Sequence, residues 1–232
     1  MLSISPPPGR ADRLVAVTEP EDVTALIRRF QQGDRAAFTE IFRRYRADVA
    51  RLVFRMVGHA PDGEDLIQEV FLQVHRSLGE FRGQSRFSTW LHRVTVNVVL
   101  MARRAARSRP ALAADPPDEG RADERLLPDE DVVRTQRIAA FRRVLDRLPE
   151  KKRTVYILHE LEGLPPAEIA EIVGAPVLTV RTRLFYARRE LEEMMRDEPA
   201  LAHLAEELAD DAQEGRGARG GQSRTREETE AT

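Results

Sequence analysis

Apolar residues recur at helical spacing along most of this chain, and that period limits its fold more than any other feature of the sequence. Val23, Leu26, Ile27 and Phe30 fall at i, i+3, i+4 and i+7, which places them on one face of a helix. Later segments keep this period, and none shows the alternation of apolar and polar residues that is typical of strands. The sequence therefore predicts an all-α fold.

Breaks in the helical pattern divide the chain into two small helical domains. We expect four helices within residues 21–109 and a second helical domain over 132–196. Residues 110–131 are rich in proline and acid and have no sustained period, so an acidic flexible linker is expected there. Residues 1–20 are predicted to be a disordered leader, and 197–232 an acidic, mostly disordered tail.

The net charge of −2 conceals a strong partition of charge along the chain. Residues 21–110 carry +6 and 136–196 carry +3, whereas residues 110–135 carry −5 and the tail carries −6. Basic blocks of this kind suit a polyanionic partner, although a solvated surface often has the same composition. Charge alone therefore favours the solvated surface.

Several classes of protein are disfavoured by what the sequence lacks. It contains no cysteine and five histidines without a close pair, so we expect no disulfide, no metal site and no cofactor. No run approaches the ~18 apolar residues of a membrane helix, and the first residues do not resemble a secretory signal. The expectation is a soluble, cytoplasmic protein.

A short apolar helix, a glycine and a longer basic helix predict a helix-turn-helix near the end of the second domain. Gly174 suits the left-handed residue that closes the first helix, and Ala170 is small enough to let a second helix cross closely. Ile169, Ala170 and Val173 are the expected inner residues of the first helix, and the second is expected to bury Val180, Leu184, Ala187, Leu191 and Met194. The outward face would carry Leu178, Arg181, Thr182, Phe185 and Arg189, beside Tyr186 and Arg188.

That outward face has the chemistry of a helix that enters the DNA major groove. Arginine can bind guanine through two hydrogen bonds, and apolar side chains such as Leu178 can contact thymine methyl groups. The alternative is an ordinary helical hairpin with a charged outer face. The coincidence of the short helix, Gly174, Ala170 and the arginine face favours DNA binding.

The fourth helix of the first domain combines an apolar stripe with a cationic edge. Trp90, Val94 and Met101 are predicted to face the core, and the preceding loop adds Phe81, Arg82 and Phe87. Rings beside arginines suit unstacked bases, because bases stack on rings while arginines hold phosphates. Taken singly, Trp90 and Phe87 fit core residues better, and Asn97 could be a buried amide. The cationic edge consists of Arg86, Arg93, Asn97 and Arg104.

The third helix has more apolar surface than one core needs. Its main stripe is widened by Ile67, Phe71 and Leu72, with polar residues among them. An apolar patch rimmed by polar groups indicates a protein partner, while a central helix packed between two neighbours would explain the pattern equally well. The main stripe consists of Leu66, Val70, Val74 and Leu78.

Three stretches of the chain occur in the order that one protein family shows. They are GDRAAFTEIFRRY, then DGEDLIQEVFLQVHRSLGEFRGQSRFSTWLHRVTVN, then LDRLPEKKRTVYILHELEGL with the helix-turn-helix after it. Together they resemble a bacterial RNA polymerase sigma factor of the extracytoplasmic-function (ECF) group. The resemblance covers about residues 21–109 and 136–195, and the order of the motifs is more specific than any one of them.

The resemblance implies three sets of functional residues. Asp65, Gln68, Glu69 and Phe71 correspond to the segment that docks on the polymerase clamp helices. Phe81, Ser85, Phe87, Trp90, Arg93 and Asn97 correspond to the segment that melts and reads the minus-ten promoter element. Arg181, Thr182, Phe185 and Arg188, with Leu178 beside them, fall where the family reads the minus-thirty-five element.

Three departures from the family pattern affect the expected promoter sequence rather than the fold. Pro165 and Pro166 stand where a capping serine is frequent, and proline is tolerated at a helix start. Leu178 replaces a frequent glycine, and Tyr186 replaces a frequent arginine.

A sigma factor would need no cofactor and would catalyse no covalent step. Its implied partners are core RNA polymerase and promoter DNA, double-stranded and melted, with an anti-sigma factor as a further candidate. The alternative is a stand-alone helix-turn-helix repressor or activator, which would need a self-complementary interface and a palindromic site. A helical hydrolase is disfavoured because no nucleophile and base can be named.

The acidic linker leads to a separate hypothesis. In the family this segment threads through polyanion-binding channels of the polymerase, so the linker acids could imitate nucleic acid there. The alternative is that the linker is only a flexible tether. Within residues 110–135, eight acids stand against three arginines: Asp115, Asp118, Glu119, Asp123, Glu124, Asp129, Glu130 and Asp131.

Overall fold

The computed structural model describes residues 21–58, 62–108 and 129–202, and these residues form helices joined by short turns. The predicted leader, most of the predicted acidic linker and nearly all of the predicted tail lie outside the described residues. No strand occurs in the part of the chain that is described, and the all-α prediction is confirmed there. The helices are α1 (Glu21–Gln31), α2 (Arg35–Val57), α3 (Gly63–Ser77), α4 (Phe87–Ser108), α5 (Asp129–Arg147), α6 (Glu150–Tyr156), α7 (Pro166–Val173) and α8 (Val177–Arg196).

Two irregular turns interrupt this series. A 3₁₀ turn (Leu78–Glu80) follows α3 and leads into the loop before α4. A π-helical turn (Ile157–Leu161) continues α6, so the helical segment over 150–161 has two parts. Among the described residues, no helix is both long enough and apolar enough to cross a membrane.

The chain divides into two compact units. The first contains the residues up to Asp115 together with Ile157–Val180, and the second contains Pro116–Tyr156 together with the residues from Arg181 onward. The unit boundaries fall at the end of α6 and inside α8, whereas the predicted domain boundaries follow the composition of the linker. The predicted boundaries therefore stay a prediction.

Helices α1 to α4 build the core of the first unit in the way that the helical period predicts. Ile41, Leu52 and Val53 of α2 and Val70 and Val74 of α3 are essentially inaccessible to solvent. Burying each of these side chains stabilises the fold by about 1.5–3 kcal/mol relative to leaving it in water. The contact between the α2 and α3 sides of this core includes the Phe42 and Phe71 rings, whose centroids are 4.6 Å apart.

A side-chain cap begins α2. Asp34 accepts a hydrogen bond from the backbone N–H of Ala36 at 2.9 Å, which satisfies one of the donors that a helix leaves at its start. Arg29 donates to the same carboxylate through Nε at 2.9 Å and Nη2 at 2.6 Å. The Arg29 hydrogen bond, followed by the bond from Ala36, holds the pKa of Asp34 below its usual range.

In four helices the buried face differs from the predicted one at one position. Met101 was predicted to face the core but is 67% exposed, because the buried face of α4 runs through Leu91, Thr95 and Val99. Leu72 of α3 is 51% exposed and does not widen the core. In α8 the buried methionine is Met195 rather than Met194, and in α7 Ile172 is buried in place of Val173. Adjacent positions differ by about 100° around a helix, so the packing partners decide which one is covered.

His92 of α4 gives the first unit a predictable response to pH. Burial lowers the pKa of His92 below its ordinary value of 6.5, and the charges that face it are Glu162, Glu168, Asp48 and Arg51. The three carboxylates act in the opposite direction, so burial decides the outcome. The folded protein thus holds His92 neutral at a pH where the unfolded chain already binds a proton.

We therefore expect the free energy of unfolding to fall as the pH decreases below about 6.5, with a slope of at most about 1.4 kcal/mol per pH unit from this group. The stability that neutral His92 contributes is fully present above the pKa that this histidine has in the unfolded chain. It is lost as the pH falls towards the lower pKa that His92 has in the folded protein. Denaturant titrations between about pH 5.5 and 7.5 should show a flatter slope for His92→Gln than for the unaltered protein. Equal slopes for the two proteins would contradict this assignment.

Candidate nucleic-acid and polymerase interfaces

Four aromatic rings gather where the loop enters α4. The ring of Phe87 is 5.1 Å from Tyr45, 5.9 Å from Phe81 and 5.6 Å from Trp90, measured between centroids. Phe81 and Trp90 are 5.3 Å apart. Phe87 is 2% exposed and lies at the bottom of the group, whereas Phe81 is half-buried. Phe87 therefore supports the other rings from below and is not placed to stack on a base.

The loop before α4 forms one wall of an open cavity of about 920 Å³. Of the six residues predicted to bind the minus-ten element, Phe81, Ser85, Trp90 and Arg93 line it. The structure thus brings together a ring, a hydroxyl and a guanidinium, which are groups that can stack on a base and hydrogen-bond to its edge or phosphate. The remaining lining residues are Gln31, Gly79, Glu80, Arg82 and Gln84.

Gln31 fastens this loop to the end of α1. Its Nε2 donates to the backbone carbonyl of Phe81 at 2.9 Å, and the carbonyls of Leu78 and Gly79 lie at 3.3 and 3.4 Å. Sequence analysis missed Gln31, because these partners lie 47 to 50 positions away along the chain and no local pattern connects them.

The predicted cationic edge of α4 is solvent-exposed. Arg86, Arg93, Asn97 and Arg104 are all exposed, so Asn97 is not a buried amide. Arg86 lies 3.5 Å from the carboxylate of Glu168, within the first unit. Asn97 is one helical turn beyond Arg93, which places it on the same side of α4. It does not line the cavity itself.

Of the four α3 residues predicted to bind core polymerase, three are exposed to solvent and one is buried. Asp65, Gln68 and Glu69 are exposed, and Glu69 lies 3.7 Å from Arg76. Phe71 is 4% exposed and packs on Phe42, so it shapes the helix position rather than the outer surface. Leu72, to which the resemblance assigns no role, is exposed and lies next to these polar residues.

The predicted turn between α7 and α8 has the expected backbone. Gly174 has φ 61° and ψ 43°, the left-handed conformation that glycine adopts without strain, and its N–H bonds to the carbonyl of Ala170. Ala175 N–H bonds to the same carbonyl at 3.1 Å. At the other end of α7, Pro165 is extended and Pro166 occupies the first turn, where proline removes no helical hydrogen bond.

Helix α8 presents the predicted residues to solvent. The exposed set is Leu178, Arg181, Thr182, Phe185, Tyr186, Arg188 and Arg189, and Arg189 pairs with Glu193 at 3.1 Å.

One residue of α6 organises part of this helix and was missed by sequence analysis. Lys152 Nζ bonds to Glu190 Oε1 and lies 5.7 Å from the centre of the Tyr186 ring. The Tyr186 ring in turn meets Phe185 edge to face, at a centroid distance of 5.4 Å. A lysine in a basic stretch resembles any solvated charge in the sequence, so only the fold reveals this contact.

An all-α chain with a helix-turn-helix and a basic, exposed second helix defines a DNA-binding transcription protein. The comparisons with known proteins are more specific. Residues 41–109 match the family model for Sigma-70 region 2, and residues 138–191 match that for Sigma-70, region 4.

The curated relatives agree with these matches. The ECF RNA polymerase sigma-E factor of Escherichia coli K12 is 37% identical over 176 residues, which span 72% of this chain and 91% of that protein. The RNA polymerase sigma-H factor of Pseudomonas aeruginosa is 33% identical over 177 residues, 73% of this chain and 92% of that protein. The chain therefore belongs to the ECF group of bacterial RNA polymerase sigma factors.

Solved structures show the same fold. CnrH, in complex with the cytosolic domain of CnrY, matches with a TM-score of 0.57 and 21% identity, over 77% of this chain and 99% of that chain. The sigma factor RpoE of Bartonella quintana, in complex with the anti-sigma factor NepR, matches with a TM-score of 0.51 and 19% identity, over 68% and 96% of the two chains.

Membership in this family establishes the function of the protein. It directs core RNA polymerase to specific promoters and helps to open the DNA for initiation, through sigma regions that bind the core enzyme and promoter DNA. The family is a non-catalytic class of initiation factor. The stand-alone repressor or activator is not favoured by these matches.

Proposed function

We propose that three surfaces of this chain divide the work of initiation. The exposed face of α3 binds core polymerase, the loop and first turns of α4 hold the melted minus-ten element, and α8 reads the minus-thirty-five element. The observation that carries this proposal is the cavity before α4, which brings Phe81, Ser85, Trp90 and Arg93 to one place.

For the minus-ten element, the half-buried Phe81 and the edge of Trp90 provide apolar contacts for an unstacked base. Arg93 and the exposed Asn97 continue from the cavity along α4, where they can contact phosphate or a base edge. Phe87 belongs to this site as the buried support beneath the rings.

For core polymerase, Asp65, Gln68 and Glu69 form a polar rim beside the exposed Leu72. An apolar side chain among polar ones is a common composition for a protein interface. Phe71 fixes the position of α3 from inside the core.

The proposal is tested by run-off transcription with purified core polymerase and a library of bacterial promoters, followed by mapping of the start sites. A common pair of elements upstream of the starts is the expected result. Transcription that is independent of added protein, or DNA binding without polymerase to a palindromic site, would contradict the proposal and favour the stand-alone regulator.

Gln31→Ala is expected to slow promoter opening without preventing closed-complex binding, because its amide orders the backbone of the cavity loop. Permanganate reactivity of melted thymines measures opening, and a template with a pre-melted bubble should restore most of the activity. Gln32→Ala is the matched control, since it removes a neighbouring, exposed glutamine. If the two variants open promoters equally well, Gln31 does not position the loop.

We also propose that an anti-sigma factor regulates this chain and that it acts in the cytoplasm, where core polymerase is found. The support is family membership and the partners named for CnrH and for the Bartonella protein. A cognate anti-sigma factor should inhibit run-off transcription in proportion to its concentration and be displaced by excess core enzyme.

A further inference from the structure

Helix α7 packs against α4 within the first unit of the chain, and the π-helical turn before α7 packs against α2. The apolar face of α7 is covered there, since Ile169 and Ile172 are buried. Residues 157–173 lie in sigma region 4, whereas α2 and α4 lie largely in sigma region 2. Parts of both family regions therefore meet in one compact unit.

A buried carboxylate ties this segment to α2. The side chain of Glu162 is 4% exposed, and its oxygens lie 2.8 Å from Nη1 of Arg55 and 3.4 Å from Nε of Arg51. Arg55 also donates a hydrogen bond to the backbone carbonyl of Leu161. A buried carboxylate without an opposite charge is strongly unfavourable, so Glu162 is stable in this position only while α2 supplies its arginines.

A second carboxylate of the same segment contacts the cationic edge of α4. Glu168 of α7 lies 3.5 Å from Nη1 of Arg86. Arg86 precedes the first residue of α4 and stands beside the loop for the melted minus-ten element. Glu168 thus occupies a position beside this guanidinium that a DNA phosphate would take.

The packing of α7 on α4 limits the distance between the two DNA-binding surfaces. The minus-ten and minus-thirty-five elements are about 25 base pairs apart, or about 85 Å along the DNA. Helices α7 and α8 have 8 and 20 residues, so together they measure about 42 Å when laid end to end. DNA of this length is too stiff to close the gap by bending smoothly. A chain that keeps α7 on α4 therefore cannot place α4 on one element and α8 on the other.

We propose that the packing of α7 on α2 and α4 is a resting state of the chain, held by the ion pairs of Glu162 and Glu168. This resting state must open before one molecule binds both promoter elements. Core polymerase shifts the equilibrium, because it binds the open state more tightly. The inference rests on the proposed function of α4 and α8 and adds the regulation of these surfaces.

The affinity of the full chain for core polymerase tests the proposal. When a partner binds only the open state, its apparent Kd is the intrinsic Kd divided by the open fraction. Glu162→Gln removes a buried charge and should raise the apparent affinity by about tenfold or more. Glu168→Gln acts on a more exposed pair and should raise it by about two- to fivefold. A substitution that only damaged the fold would lower the affinity instead.

Glu171→Gln is the matched control, because it removes the same charge from an exposed position of α7. It should leave the affinity for core polymerase unchanged. Arg86→Glu combined with Glu168→Arg rebuilds the pair in reverse, so it should return the affinity towards that of the unaltered chain, whereas Glu168→Arg alone should raise it. Thermal unfolding shows which variants keep their fold, and Glu168→Gln decides the test if Glu162→Gln does not fold.

Energy transfer between two dyes measures the opening itself. The chain contains no cysteine, so dyes can be attached through Ala47→Cys of α2 and Ala167→Cys of α7, which are both exposed positions. Transfer should be high in the chain alone and should fall when the holoenzyme binds a promoter. Unchanged transfer in a promoter complex that initiates transcription overturns the proposal. An affinity for core polymerase that is unchanged or lower in the folded glutamine variants also overturns it.

Failure of the proposed function gives a different result. A holoenzyme that selects no promoter contradicts the roles of α4 and α8. The core affinities of the variants still decide whether the ion pairs of Glu162 and Glu168 hold a resting state, because that measurement needs no promoter.

Discussion

Phe87→Ala is expected to lower the free energy of unfolding by about 3–5 kcal/mol, the usual cost of removing a buried phenylalanine ring. Phe87 is 2% exposed and contacts the rings of Tyr45, Phe81 and Trp90, so its removal leaves a cavity under the loop. Denaturant titration of the purified protein measures this loss. A stability loss of this size is a large part of what a small domain has, and reduced solubility should accompany it.

Asn97→Ala provides the contrast, because Asn97 is exposed on the same helix. It should change stability by less than about 0.5 kcal/mol while reducing the permanganate reactivity of melted thymines. A template with a pre-melted bubble should restore the transcription activity of Asn97→Ala. The free energy of unfolding of Phe87→Ala should stay low whichever template is used. Unchanged stability of Phe87→Ala, or normal opening by Asn97→Ala, would contradict the two roles.

Arg181→Ala should reduce discrimination between the correct upstream element and random DNA by about 1–3 kcal/mol, or about 5- to 150-fold. Arg181 is exposed on the outward face of α8, in the first turns, which are the turns that contact bases in helix-turn-helix proteins. The measurement is the ratio of holoenzyme affinities for the two DNAs at fixed salt, because phosphate contacts alone change with salt.

Arg189→Ala is the matched control for charge. It removes the same charge from the same helix, at a residue that pairs with Glu193 near the other end. It should weaken binding to correct and random DNA by a similar factor and leave the ratio unchanged. If Arg181→Ala behaves in the same way, Arg181 is a phosphate contact and does not read a base.

The helices, their ends and the turn of the helix-turn-helix follow from local sequence. Asp34 caps α2 because its carboxylate reaches an N–H two residues away, and Gly174 ends α7 because glycine tolerates a positive φ. Both effects act over a few residues, so the order of amino acids is sufficient to predict them. The same holds for the arginine-rich face of α8, since a regular helix determines which of its residues share a face.

Only the tertiary structure decided which residues of each face are covered. The helical period allowed either Met194 or Met195 to be buried, and it placed Met101 in the core although that residue is 67% exposed. It also could not separate Phe87, which is buried, from the exposed Asn97, since both fit a helix with an aromatic and polar edge.

Contacts between residues that are distant along the chain could not be predicted from the sequence either. Gln31 bonds to a loop 47 to 50 positions away, and Lys152 reaches Tyr186 and Glu190 from another helix. The physical reason is that backbone hydrogen bonding and helix period depend on near neighbours, whereas burial and long-range hydrogen bonds depend on which surfaces meet after the chain has folded.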